Sequence, residues 1–497
     1  MLKKSNILIF ALTFIGLNAS VANAQNDILW KKNFGGSSGD IYYSVTAVSD
    51  GIVAVGYSSS FDGDWTDVTG KGGSDAIIVK YDNNGTVVWK KNFDGGGIDF
   101  YSSVTAVSDG IVAVGHSSSF GNGDWTDVTG KGYSDAIIVK YDNNGTVVWK
   151  KNFGGSELDL YSSVTAVSNG IVAVGESSSF GNGDWTDVTG KGGSDAIIVK
   201  YDNNGTVVWK KNFGGGSGDY YYSVTAVSDG IVAVGYSSSF GNGDWTDVTG
   251  KDGYDAIIVK YDDNGTVVWK KNFGGNSDDY YRSVTAVSDG IVAVGNSSSE
   301  SFGNGDWTDV TGKGYSDAII VKYDNNGTVV WKKNFGGGGN DFYYSVTAVS
   351  DGIVAVGHSY PESFGNGDWT DVTGKGGDDA IIVKYNNNGT VVWKKNFGGS
   401  GSDTYYSVTA VSDGIVAVGD SHPESFGNGD WTDVKGGNDA IIVKYEAKTS
   451  GVVGAGLAPA PQVAGYYSIL GQKLLQEPES GMYIIIYDNG KAEKVLK

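Results

Sequence analysis

"DAIIVKYDNNGTVVWKKNF" (75–93) and, after a short glycine-rich break, "YSSVTAVSDGIVAVGHS" (101–117) decide the fold. Together they hold four short runs of β-forming residues. The first is "DAIIVKYD" (75–82), and the second is "TVVWKKNF" (86–93). Between them lies "NNG", a tight-turn signal because asparagine and glycine tolerate positive φ. The third run, "YSSVTAVS" (101–108), is joined by "DG" to the fourth, "IVAVGHS" (111–117). "AIIV" and "IVAV" are continuous apolar runs. A strand with one wet face would alternate, so these are expected to be covered on both faces.

The pattern repeats. One tryptophan series falls at Trp30, Trp89, Trp149, Trp209, Trp269, Trp331 and Trp393. A second falls at Trp65, Trp125, Trp185, Trp245, Trp307, Trp369 and Trp431, and the two account for all 14 tryptophans. A period of 59 to 62 residues marks a repeat architecture. Four-stranded sheets stacked face to face around an axis cover both faces of every strand, which predicts an all-β fold, a β-propeller. "DAIIVKY"-type strands start at Asp75, Asp135, Asp195, Asp255, Asp317, Asp379 and Asp439, so seven blades of four antiparallel strands are expected over 25–445. Read from "DAIIVKY", each unit enters its neighbour through a loop such as "GNGDWTDVTGKGYSD" (121–135), which is taken as the blade-to-blade joint. The repeats begin on a second-type strand, "ILWKKNF" (28–34), and end on a first-type strand, "DAIIVKY" (439–445). These fragments add up to one blade, which predicts a ring sealed by pairing the last repeat strand with the first. An open solenoid would need polar capping units instead.

The repeats resemble the bacterial seven-bladed β-propeller repeat family (SBBP-like repeats). The matching text is "GGSGDYYYSVTAVSDGIVAVGYSSS" (215–239) with "DAIIVKYDDNGTVVW" (255–269). The resemblance spans 28–445 and implies a propeller with exported, surface-associated relatives, but no reaction. The end of the chain resembles the C-terminal sorting domain of the type IX secretion system of Bacteroidota, through "LGQKL" (470–474), "SGMYIII" (480–486) and "KAEKVLK" (491–497). That resemblance implies a small β segment over 466–497 as a partner of the secretion machinery, behind a linker at 446–465.

The N-terminus carries an export-signal pattern: Lys3 and Lys4, the apolar "ILIFALTFIGL", then "ANA" at 22–24. A signal peptide over 1–24 and a secreted or outer-membrane-surface protein are expected, with no transmembrane span in the mature chain. There is no cysteine, so an exported chain must be stabilised without disulfides. The formal net charge of −21 disfavours nucleic acid, whose binding needs lysine and arginine against phosphates.

Catalytic patterns are weak. Two of the three histidines, His116 and His358, occupy one place in different blades, so they cannot share a metal. The one Gly-x-Ser-x-Gly match, "GGSSG" (35–39), leads into a strand-like run and not a helix, so it makes no nucleophile elbow, and every repeat carries the same aspartates, whereas catalysis needs an asymmetric constellation. The expectation is a protein that is not an enzyme and has no cofactor. Asp124, Asp127 and Asp135 are oxygen donors of the kind calcium takes, but their spacing is not an EF-hand. The alternative is that they bind loop amides while Trp125 wedges between blades.

Differences between near-identical repeats point to the binding face. After "VAVG" come Tyr57, His116, Glu176, Tyr236, Asn296, His358 and Asp420. Earlier in the repeat, one position reads Ile41, Phe100, Leu160, Tyr220, Tyr280, Phe342 and Thr404. Two residues on, it reads Tyr43, Ser102, Ser162, Tyr222, Arg282, Tyr344 and Tyr406. Between these sits a constant tyrosine, Tyr42 in the first copy, which serves either recognition or the core. In antiparallel blades the variable positions gather at one end. Tyr57, His116, Glu176, Tyr220, Tyr236, Tyr280, Arg282, Asn296, His358 and Asp420 are therefore the candidate ligand-binding residues, against neutral drift at exposed loops. The expected function is a binding or adhesion module for a glycan or a cell-surface protein. The alternatives are a polysaccharide-processing enzyme on the same scaffold and a purely structural surface protein.

Overall fold

The computed structural model describes residues 28–431 and 437–446, and the strands Val463–Ser468, Lys473–Leu474, Met482–Tyr487 and Ala492–Leu496. The chain divides into two compact units between Lys448 and Thr449. The first is a seven-bladed β-propeller, with seven antiparallel sheets of four strands each. The expected signal at 1–24 lies outside the described residues. Among the described residues no helix is long and apolar enough to cross a membrane.

The blade frame differs from the frame read in the sequence. Blade 1 consists of Asp40–Val48, Gly51–Ser58, Asp75–Tyr81 and Val87–Phe93, paired in that order. Strands equivalent to Asp40–Val48 lie innermost and pack on one another around the axis. A blade thus starts at the strand read as third and ends at the strand read as second. The reason is that periodicity gives the length of a repeat but not its starting point; packing at the axis sets that. Consequently the loop at 121–134 is not a joint between blades. It connects the second and third strands of blade 2, Gly110–Ser117 and Asp135–Tyr141. The joint is the short glycine segment after each outer strand, such as 94–98. Both connections emerge on one face, and the "DG" and "NNG" turns on the other. Gly85 in such a turn has φ +79°.

The continuous apolar runs are explained by two seams. Ile52, Ala54, Ile77 and Val79 of blade 1 pack against Val416, Val418, Ala440 and Ile442 of blade 7. Val53, Val55, Ala76 and Ile78 point the other way, into the seam with blade 2. Successive side chains leave a strand on opposite sides, so both sets must be apolar.

Each seam is pinned by a buried carboxylate. Asp40 accepts hydrogen bonds from Trp65 Nε1 at 3.0 Å, Ser60 Oγ at 2.8 Å and Gly36 N at 3.0 Å. Burial raises its carboxyl above the ordinary range, and these donors pull the other way. Trp65 meets Phe34 of blade 7 edge-on, with ring centroids 4.9 Å apart. Trp125 occupies the next seam in the same way, on Phe93 and Asp99, as the expected wedge. The other tryptophan series also crosses seams, since Trp89 Nε1 donates to Asn143 O of the following blade at 3.1 Å. Around the axis, one serine hydroxyl per blade accepts from the next inner strand. Val104 N donates to Ser44 Oγ at 3.2 Å, and the circle closes with Val45 N to Ser407 Oγ at 3.3 Å.

The ring is sealed as expected. Ile28–Phe34 pairs antiparallel with Asp439–Glu446, from Ile28 opposite Tyr445 to Phe34 opposite Ala440. It forms the outer strand of blade 7. The second unit is a four-stranded antiparallel sheet that begins at Val463, within the segment read as linker.

Deleting residues 28–34 leaves the backbone edge of 439–446 unpaired and removes Phe34 from under Trp65. The expected outcome is a lower melting temperature and species larger than a monomer in light scattering, because an open strand edge recruits other chains. A monomer of unchanged melting temperature would contradict this account of closure.

Candidate functional site

Every inner strand breaks register at one residue. In blade 1, Tyr42 pairs with Gly56 and Ser44 with Val55, so Tyr43 has no partner. The same bulge isolates Ser102, Ser162, Tyr222, Arg282, Tyr344 and Tyr406. A bulge bends its strand and re-aims the extra side chain. The constant glycine of "VAVG" makes room for it: a Cβ on Gly115 would stand 1.8 Å from Phe100 O. The constant tyrosine beside the bulge belongs to the core. Tyr42 is fully buried, and its hydroxyl meets that of Tyr81 at 2.7 Å.

All seven bulge side chains line one cavity of about 490 Å³, together with Phe100, His116, Leu160 and Glu176. One residue from each blade can converge only on the axis, so the cavity is its mouth on the loop face. Side-chain size decides what else reaches it. In blades 2 and 3 the bulge residue is a serine, and the residues behind it, Phe100 with His116 and Leu160 with Glu176, look into the cavity. Elsewhere a tyrosine or the arginine closes that window.

Of the ten candidate residues, His116, Glu176 and Arg282 therefore line the cavity. The other seven stand behind or beside its wall. Tyr57 lies edge-on to Phe100, centroids 4.6 Å apart. Tyr220 and Tyr236 stack at 4.6 Å, and Tyr236 also meets Tyr280 at 5.0 Å. His358 is packed among Phe342, Tyr344 and Tyr360. Asn296 is buried and donates to Ser316 Oγ at 3.3 Å. Asp420 is buried against Tyr406. The constant glycine in the middle of an apolar strand is the sequence signal that would have singled out the bulge positions.

The three aspartates weighed for calcium are not brought to one point. Asp124 takes Lys71 Nζ of the preceding blade at 2.7 Å and the amide of Asp94 at 3.0 Å. Asp127 pairs with Lys150. Asp135 accepts from the amides of Lys131 and Gly132 at 2.9 and 3.1 Å, and from the Asn152 side chain. Among the described residues no group of three or more His, Asp or Glu side chains is placed to hold a metal ion.

No family model matches the chain. It is 25% identical over 252 residues to the regulatory protein FlaEY of Caulobacter vibrioides, and 30% identical over 113 residues to an uncharacterized protein of Aquifex aeolicus. Those matches take in 46% and 23% of this chain, which spans only 25% and 29% of the two relatives. Among solved structures, the WD40 β-propeller domain of Doa1 aligns with 86% of this chain and 98% of its own, at 12% identity and a TM-score of 0.45. The phage phi92 endosialidase aligns with 94% of this chain and 78% of its own, at 10% identity and a TM-score of 0.41.

The electrostatics of the cavity are uneven. Burial raises Glu176 to about 7, against a hydrogen bond from Ser194. Burial lowers His116, and burial together with the Arg282 charge lowers His358 to about 4. Behind the wall, burial and then the Asp403 charge raise Asp420 to about 7, with the Tyr406 hydroxyl opposing. An acid whose folded pKa is raised binds its proton more tightly when folded. That contribution is complete below the ordinary value of 3.8 and is lost as pH rises through about 7. Asp420→Asn is therefore expected to stabilise the protein by roughly 2–4 kcal/mol at pH 8 and by close to nothing at about pH 3. Urea midpoints at the two pH values check this; an equal difference at both would contradict it.

Proposed function

We propose that the protein is a binding module that seats its ligand at the axial mouth of the propeller. The observation that carries this is where variation falls. Seams, turns and closure repeat almost unchanged from blade to blade, while the bulge position that faces the cavity changes among tyrosine, serine and arginine. A volume of about 490 Å³ lies in the range of small-ligand sites. Tyrosine walls with serine hydroxyls between them suit a glycan, whose ring faces stack and whose hydroxyls hydrogen-bond. The reading is of a non-catalytic site. Glycoside hydrolysis uses two carboxyl groups across the scissile bond. Here Glu176 lines the cavity, whereas Asp420 lies buried behind Tyr406. Export through the N-terminal signal, with the C-terminal sheet as the sorting element, would place this face at the cell surface for adhesion.

The test is a glycan array probed with the full chain, covering neutral and acidic structures. Saturable binding is expected, weakened at least about tenfold by Tyr222→Ala or Tyr344→Ala, a loss of about 1.4 kcal/mol. Tyr133→Ala serves as control, because that tyrosine is 82% exposed and is not one of the residues lining the cavity. No saturable binding, or binding indifferent to both cavity changes, would refute the proposal.

A further inference from the structure

We propose that the axial cavity recognises a carboxylate, carried by an acidic sugar of the hexuronate class, through Arg282. This rests on the binding-module reading above and names its ligand class.

Arg282 is the only arginine in the chain, and it stands at the position that faces the axis. Its guanidinium lies over three tyrosine rings, 5.1 Å from Tyr222, 5.3 Å from Tyr280 and 5.8 Å from Tyr344. These cation–π contacts with three rings hold the guanidinium in place at the cavity wall. Among the described residues, every ion pair is made by a lysine, and the guanidinium makes none. Its Nε is buried without an acceptor. The guanidinium charge has no ion-pair partner among the described residues and stands at the cavity wall, which favours an anionic ligand there. That contrasts with the many lysines of this chain of net charge −21 that are paired with carboxylates.

The form of the site narrows the ligand. A guanidinium fork matches a carboxylate with two parallel hydrogen bonds. One cation balances one negative charge, which fits a carboxylate better than a phosphate dianion. The single carboxylate on the wall, Glu176, stands two blades from Arg282. Ser102, three blades from the arginine, and Ser162, two blades from it, offer hydroxyls beside Phe100. This pairing of an apolar face with small polar groups suits a sugar ring that holds its carboxylate towards Arg282.

The full chain should be titrated calorimetrically at pH 6 with methyl glucuronide, methyl glucoside and inorganic phosphate. The expected order is glucuronide at least about tenfold tighter than glucoside, with phosphate weaker than glucuronide. Arg282→Gln and Arg282→Ser should abolish the preference for glucuronide. Serine already stands at this position in blades 2 and 3, so the second variant keeps a residue the blade accommodates. Arg282→Lys should recover only part of the preference, since it keeps the charge but loses the fork. Equal binding of glucuronide and glucoside, or a preference that survives Arg282→Gln, would overturn the inference while the binding-module reading stood. Tighter binding of phosphate would replace the carboxylate with another anion. If neither these sugars nor the array glycans bind, both readings fall together.

Discussion

A carboxylate buried against an indole is the interaction on which the ring depends. Taking a charged group out of water is costly unless its acceptor sites are filled. Asp40 fills them from three directions: the tryptophan of its own long loop, a serine of the same loop, and the glycine amide that follows the preceding blade's outer strand. One side chain thereby fixes the loop, the inner strand and the link between blades. The indole it orients then covers Phe34 of the neighbouring blade. With this repeated at each seam, the loop face is held by hydrogen bonds and ring packing that do not involve the bulge positions. Those positions are free to vary.

The strands, their number and the sealing of the ring were all legible in the sequence, because each rests on a local rule. Apolar runs such as "AIIV" report two covered faces, Asn-Gly reports a hairpin, and complementary end fragments report closure. The blade frame was not legible. A tandem repeat has no intrinsic first strand, and either frame gives equally apolar units. What separates the frames is which strand packs at the axis, a contact between residues some sixty positions apart. The role of the long tryptophan loop was lost with the frame, although its indole was rightly placed in a seam.

The site was half legible. Differences between repeats pointed to the face on which the cavity opens, and His116, Glu176 and Arg282 are among the residues that line it. The bulge was missed because a bulge is a matter of register, and its signal is only a glycine where a strand should carry a side chain. Without it, the positions after "VAVG" seemed equivalent from blade to blade. They are not, because a serine in front admits Glu176 to the cavity while a tyrosine in front shuts Asp420 away from it. Exposure at one position is set by the volume of a residue on the neighbouring strand.

The sameness of the seams has a consequence for how such a chain diversifies. Any blade presents to its neighbours the same valines, isoleucines, aromatic pair and carboxylate. The order of blades around the axis is thus nearly neutral for folding, while it determines which wall residues stand opposite one another. Recombination between near-identical repeats would shuffle whole blades, and each exchange would produce a new arrangement of tyrosine, serine, arginine and glutamate on an intact scaffold. Inheritance can then explore ligand specificity by permutation, with point mutation needed only to supply new letters.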